Sequence, residues 1–165
     1  MTKISEILSA HLVESLVASK VFGVLMKVQR YLGPAGSYEL AFPAEWRLEY
    51  DEEGVPHFSD PRGNSGSLRV KTLLFRGPSA ANLNPDDFLK DSLRKMPGSE
   101  LVRVGKRNAV HSVERSVSTE SHHWVIAEGP HVLLATYKTI SDVDTLARSR
   151  ELAAAVSILE SVKFR

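Results

Sequence analysis

Between Arg107 and Ile140 the chain places apolar residues at both odd and even positions of consecutive runs that are separated by short polar breaks. With hairpin turns at Thr119-Glu120 and Gly129-Pro130, Val113, Arg115, Val117, Trp124, Ile126, Leu133 and Ala135 share one face. Val110, Val125, Ala127, Val132 and Leu134 share the other. Successive side chains of a strand point to opposite faces, so this meander is a sheet whose two faces both need cover. The pattern predicts an α+β domain: an α/β/α sandwich with a central, mainly antiparallel sheet of about six to eight strands and helices on both faces.

The remaining segments supply the other layers. Tyr38–Phe42 and Trp46–Tyr50 alternate as strands about a turn at Pro43-Ala44-Glu45, and Val55–Phe58 and Ser67–Phe75 follow. Asn84-Pro85-Asp86-Asp87 reads as a helix start, with proline early and acids in the first turn; Phe88, Leu89, Leu93 and Met96 form its apolar face. A last helix spans about residues 142–162, with Ser141 and Asp144 at capping spacing and Leu152, Ala155, Val156 and Leu159 as its buried stripe. Residues 3–32 also carry apolar residues at helical spacing, from Ile4, Ile7 and Leu8 to Leu25, Val28 and Leu32, and Leu32-Gly33-Pro34 reads as a stop. The chain is therefore divided into an N-terminal amphipathic helical segment, 1–34, packed on the domain or on a partner, and an α/β/α domain, 35–165. A homodimer through that first helix is one expectation.

Composition narrows the function. The 165 residues carry 21 basic and 20 acidic side chains, a balance that speaks against nucleic acid as a partner, because phosphate binding draws on basic excess. There is no cysteine, which removes thiolate nucleophiles and Cys-based zinc sites. Glu6, His11, Glu14, Lys20 and Lys27 interrupt the apolar N-terminus, so neither a signal peptide nor a membrane span is expected, and the chain reads as cytoplasmic.

Several features taken together have a familiar order: Phe42-Pro43-Ala44-Glu45-Trp46 at a strand turn, a long strand and a helix, a meander ending in Ala135-Thr136-Tyr137, and a last helix closing as Ile158-Leu159-Glu160-Ser161-Val162-Lys163-Phe164. Over about residues 37–164 this order resembles the PsbP-like α/β/α family, which includes the photosystem extrinsic protein, a Ran-binding nuclear transport factor and bacterial families of uncharacterised function. The resemblance implies a binding scaffold that acts through protein partners, and among bacterial members an accessory or secretion-associated chaperone-like role. It carries over no catalytic residue.

No segment holds a catalytic motif. His122 and His123 are adjacent on one strand and point to opposite faces, and no HxH or HExxH spacing exists among the histidines. Gly63-Asn64-Ser65-Gly66 is glycine-rich but has neither the G-x-S-x-G order of a nucleophile elbow nor the lysine of a phosphate loop. Glu49, Asp51, Glu52 and Glu53, with Asp60 nearby, form an acidic run suited to a basic partner rather than to calcium, whose loops need a fixed order of ligands. Arg115 lies within reach of Trp124 for a cation–π contact. No catalytic, cofactor or metal residue is assigned. The expected function is a non-enzymatic protein-interaction domain, with the partner-binding surface at Trp46, Arg47, Glu49, Glu52, Glu53, His57 and Arg62. The alternative is a small-molecule binder or hydrolase with a pocket between sheet and helix.

Overall fold

The computed structural model describes residues 13–18, 25–63, 65–142 and 144–165. Strands β1 (Val13–Ala18), β2 (Leu25–Leu32), β3 (Tyr38–Pro43), β4 (Arg47–Tyr50), β5 (Pro56–Ser59) and β6 (Gly66–Leu74) come first. The short helix α1 (Pro78–Ala81) and helix α2 (Pro85–Lys95) follow. Then come β7 (Glu100–Val104), β8 (Arg107–Arg115), β9 (Thr119–Glu128), β10 (His131–Ile140), helix α3 (Thr145–Glu160) and β11 (Lys163–Phe164). Every strand pairing among the described residues is antiparallel, in a seven-stranded sheet ordered β4-β5-β6-β10-β9-β8-β7 and a smaller one ordered β1-β2-β3-β11.

The helix expected over residues 3–32 is corrected wherever the structure describes that stretch: Val13–Ala18 and Leu25–Leu32 are strands, and the rest of it lies outside the described residues. Spacings such as Leu25, Val28 and Leu32 suit a helix, but a short apolar run suits a strand equally well. Tertiary pairing decides between them. β2 aligns with β3 from Val28 opposite Pro43 to Leu32 opposite Glu39, and Tyr31 enters an aromatic cluster with Tyr38 and Phe58. Residues 25–32 thus belong to the same fold as residues 35–165. Leu32-Gly33-Pro34 ends a strand rather than a helix, and Gly33 is required there because a β-carbon would meet the Tyr38 ring at 2.1 Å.

The main core lies on one face of the large sheet. Phe58, Leu68, Val70, Trp124, Ile126, Leu133 and Tyr137 point into it, and are covered by Tyr38, Leu40 and Phe42 of β3 and by Ala155, Ile158 and Leu159 of α3. The Ser161 hydroxyl at the end of α3 accepts the Ala41 N–H at 2.8 Å and so ties helix to small sheet. Alternate residues Val110, Val125, Ala127 and Val132 form a second cluster under Leu89 of α2. Asn84 caps α2 by accepting the N–H groups of Asp86 and Asp87, and Asp144 caps α3.

The α+β class and the mainly antiparallel central sheet agree with the sequence reading. The plain picture of helices on both faces needs revision. One face is shared by α3 and the small sheet. On the other, α2 is only 11 residues long and packs against β8 and β9. An 11-residue helix spans about 16 Å, so it reaches only part of a seven-stranded face.

The β8–β9 hairpin turns at Ser116–Thr119, where the Ser116 N–H donates to Thr119 O at 2.8 Å, which pairs Arg115 with Glu120 and His111 with Trp124. The expected contact between Arg115 and Trp124 is therefore not formed. The slip from the expected register is an even number of residues, so the face assignments survive while the cross-strand partners change. Val117 falls in the turn and is fully exposed.

Candidate functional site

The sequence-derived surface divides once it is folded. Trp46 is buried in the main core, with its N–H donating to Pro43 O at 2.9 Å, and is unavailable to a partner. Glu52 is exposed in the β4–β5 turn. Asp51 and Glu53 are paired within the chain: each lies 2.8 Å from the Arg69 guanidinium, and Asp51 lies 3.3 Å from His57. The Val55 N–H first of all, with Arg69 and His57 adding to it, holds the Asp51 carboxyl far below the usual carboxylate range. Arg62 is occupied by Asp60 at 3.0 Å and Glu45 at 3.3 Å. Most of the acidic run thus has internal cationic partners, which weakens it as a patch for a basic protein.

Arg47 and Glu49 have a different setting. β4 is an edge strand of the large sheet, and its alternation turns Leu48 toward the core and Arg47 and Glu49 to the opposite face. Register carries that row inward. Arg47 stands opposite Ser59, Phe58 pairs with Leu68 so that Ser59 comes beside Ser67, and Ser67 stands opposite Lys138. The row Arg47–Ser59–Ser67–Lys138 therefore crosses β4, β5, β6 and β10. Because the two central side chains are short, they leave a groove of about 410 Å³ that is lined by these residues and by Glu49 and Ser65.

Among the described residues, neither Arg47, Lys138 nor Glu49 has an ion-pair partner, whereas Arg62, Arg69 and Lys71 close by are all paired. Ser65 anchors the inner wall: its carbonyl accepts the Ile140 N–H at 3.0 Å and the Thr139 hydroxyl at 2.9 Å. The Ser65 hydroxyl itself is buried and has no hydrogen-bond partner among the described residues. The groove lies on the open face of the sheet and not between sheet and helix, where the apolar core occupies the space.

A second polar cluster sits on the core-side face. The rings of His111 and His122 stack at 5.3 Å and 15°, both stack on Trp124, and His111 Nε2 lies 3.1 Å from His122 Nδ1. A single hydrogen fits between those nitrogens, so one ring presents a lone pair to the other. The outer nitrogens face carboxylates, His122 Nε2 at 3.0 Å from Glu120 and His111 Nδ1 at 3.6 Å from Glu100. Desolvation, and then the neighbouring His122 ring, lowers the pKa of His111. His123 points the other way, to Thr136 and Glu114, as adjacent strand residues must. The sequence reading missed the His111–His122 pair because it placed the turn at Thr119-Glu120. The hydroxyl-rich Ser116-Val117-Ser118-Thr119 was the available signal. Among the described residues no cluster of three or more His, Asp or Glu is arranged to hold a metal ion, and no helix is long and apolar enough to cross a membrane.

Solved structures share the fold at low sequence identity. A crystal structure from Bacteroides thetaiotaomicron VPI-5482 matches with a TM-score of 0.67 at 16% identity, covering 82% of this chain and 48% of that one. This chain thus spans about half the length of that relative. The solution structure of cyanobacterial PsbP (CyanoP) from Synechocystis sp. PCC 6803 matches with a TM-score of 0.53 at 14% identity, over 91% of this chain and 99% of that one. Both likenesses speak to architecture, and the fold is PsbP-like. No curated protein matches the sequence. A family model covers residues 26–165, starting within β2 and including every element after it; the chain belongs to the family described as Domain of unknown function (DUF3805).

Proposed function

We propose that this protein is a non-enzymatic binding domain that holds a partner protein against the uncovered polar half of its large sheet. The observation that carries this reading is the contrast across one face. At the β8–β9 end, α2 buries the apolar residues Val110, Val125 and Ala127. Among the described residues, no helix packs over this face at the β4–β6 end, and Arg47, Glu49 and Lys138 have no ion-pair partners around a preformed groove. The neighbouring cations Arg69 and Lys71 on this face are neutralised within the chain. The PsbP-like fold supports the reading to the extent that the resemblance implies scaffolds acting through protein partners. An accessory or chaperone-like role in a bacterial cytoplasm is consistent with it.

Filling the groove tests the proposal. Ser67→Trp places a large side chain in its floor, while Lys90→Trp alters the outer surface of α2. For a partner isolated from the native cell and then purified, Ser67→Trp is expected to weaken binding at least about tenfold, the equivalent of roughly 1.4 kcal/mol, and Lys90→Trp to leave it unchanged. Unchanged thermal midpoints of both variants establish that neither acts through folding. A partner that binds Ser67→Trp as tightly as the native protein removes the groove from the interface.

A further inference from the structure

We infer that the occupant of the groove is an extended, acidic segment of the partner, with two carboxylates four residues apart that meet Arg47 and Lys138. This rests on reading the open face as the binding surface, and it adds the chemistry of what binds there.

The row Arg47–Ser59–Ser67–Lys138 consists of side chains that all donate hydrogen bonds, with a cation at each end and hydroxyls between. Its ends are three strand spacings of about 4.8 Å apart, roughly 14 Å. An extended peptide advances about 3.3 Å per residue and turns alternate side chains to the same side, so residues i and i+4 face one way about 13 Å apart. An extended segment crossing the strands therefore has the repeat needed to reach both cations at once. Small residues between its acids would pass over Ser59 and Ser67.

The other charges of the groove fit the same occupant. Asp60 is already held by the Arg62 backbone N–H at 2.9 Å and by its guanidinium at 3.0 and 3.1 Å, so its repulsion is largely cancelled. Glu49 is two residues from Arg47 on the same face and has no ion-pair partner among the described residues. It opposes any anion in the groove, most of all a polyanion. That single carboxylate, with the net charge of +1, favours a peptide carrying two discrete acids over a nucleic acid.

The test is an NMR titration of the ¹⁵N-labelled native chain with a synthetic nine-residue peptide of glycine and serine that carries glutamates at its third and seventh positions. Expected are amide shifts at Arg47, Ser59, Ser67 and Lys138, a binding constant that weakens with salt, and about fivefold weaker binding in Arg47→Gln and in Lys138→Gln, each losing one exposed ion pair. Glu49→Gln is expected to bind more tightly. Equal binding of the same peptide with glutamines, or with its glutamates adjacent, overturns the inference. So does an absence of shifts, or equal or tighter binding at the same residues by sodium acetate, inorganic phosphate or a nine-nucleotide oligothymidylate. The two proposals fail differently. A partner that is lost with Ser67→Trp but kept by Arg47→Gln and Lys138→Gln refutes the acidic segment and leaves the face. A partner that all three variants keep refutes the face itself.

Discussion

Truncating Phe58 to alanine is expected to lower the unfolding free energy by about 3–5 kcal/mol, measured by chemical denaturation. Phe58 is completely buried on β5, a strand of only four residues. Its ring meets Tyr31 of β2 edge-on at 5.7 Å and Phe42 of β3 at 4.9 Å, so it is the point where the small sheet leans on the large one. The cavity has little means of collapsing, since the backbone on either side is fixed by pairing with β4 and β6. Phe58→Leu keeps most of the volume and is expected to cost less than half as much. A loss below about 1 kcal/mol for Phe58→Ala would mean that β2 does not pack as described.

Tyr137→Phe is the second change with a large expected effect, although it removes a single oxygen. Glu151 of α3 is buried beneath the Gly63 loop, so closely that a β-carbon on Gly63 would come 1.7 Å from its Oε1. The Tyr137 hydroxyl donates to its Oε2 at 2.9 Å, and Oε1 has no partner among the described residues. Burial, and then the adjoining Glu151, push the Tyr137 phenol well above its ordinary range, which keeps it protonated as a donor. Removing that donor leaves a buried carboxylate without its hydrogen bond, and the expected loss is about 2–4 kcal/mol. The double variant Tyr137→Phe/Glu151→Leu removes both polar groups and is expected to recover most of that loss. If the double variant is no more stable than Tyr137→Phe alone, the stranded carboxylate is not the cause.

Much of this architecture is legible in the residues, for identifiable reasons. The meander from Arg107 to Ile140 announces itself because alternation on both faces has few other solutions, and an even slip in register preserves the face assignments of the residues that remain in the strands, Val117 alone moving into the turn. The two long helices announce themselves through local chemistry, with Asn84 capping α2 as read and Asp144 itself capping α3, where the sequence reading paired Ser141 with Asp144 and began the helix about three residues earlier. The segment before Gly33 does not, because its apolar spacing is ambiguous and the deciding interaction is a partner strand that follows Gly33 in the chain. The site was half legible. The exposure of Arg47 and Glu49 was legible, since alternation about Leu48 sets their direction. Trp46 was misplaced because a tryptophan at a strand turn fills core as readily as it marks an interface. Glu53, His57 and Arg62 were read as open to a partner because their charges are visible in the sequence while the cation and anions that occupy them, Arg69, Asp51 and Asp60, are assigned only by cross-strand geometry. Ser59, Ser67 and Lys138 went unnoticed because serine and lysine carry no local signal; they become a row only when four strands align.

The central claim, that the open half of the sheet is where a partner sits, is tested most directly by site-specific photocrosslinking in the native cell. A compact diazirine side chain at position 121, which stands opposite Lys138 at the inner rim of the groove, is compared with one at position 90 on α2. The expected result is a discrete crosslinked partner from position 121 that is absent from position 90 and disappears when Ser67→Trp is added. The same partner crosslinking from position 90 and not from position 121 would contradict the claim and place the interface on the helix.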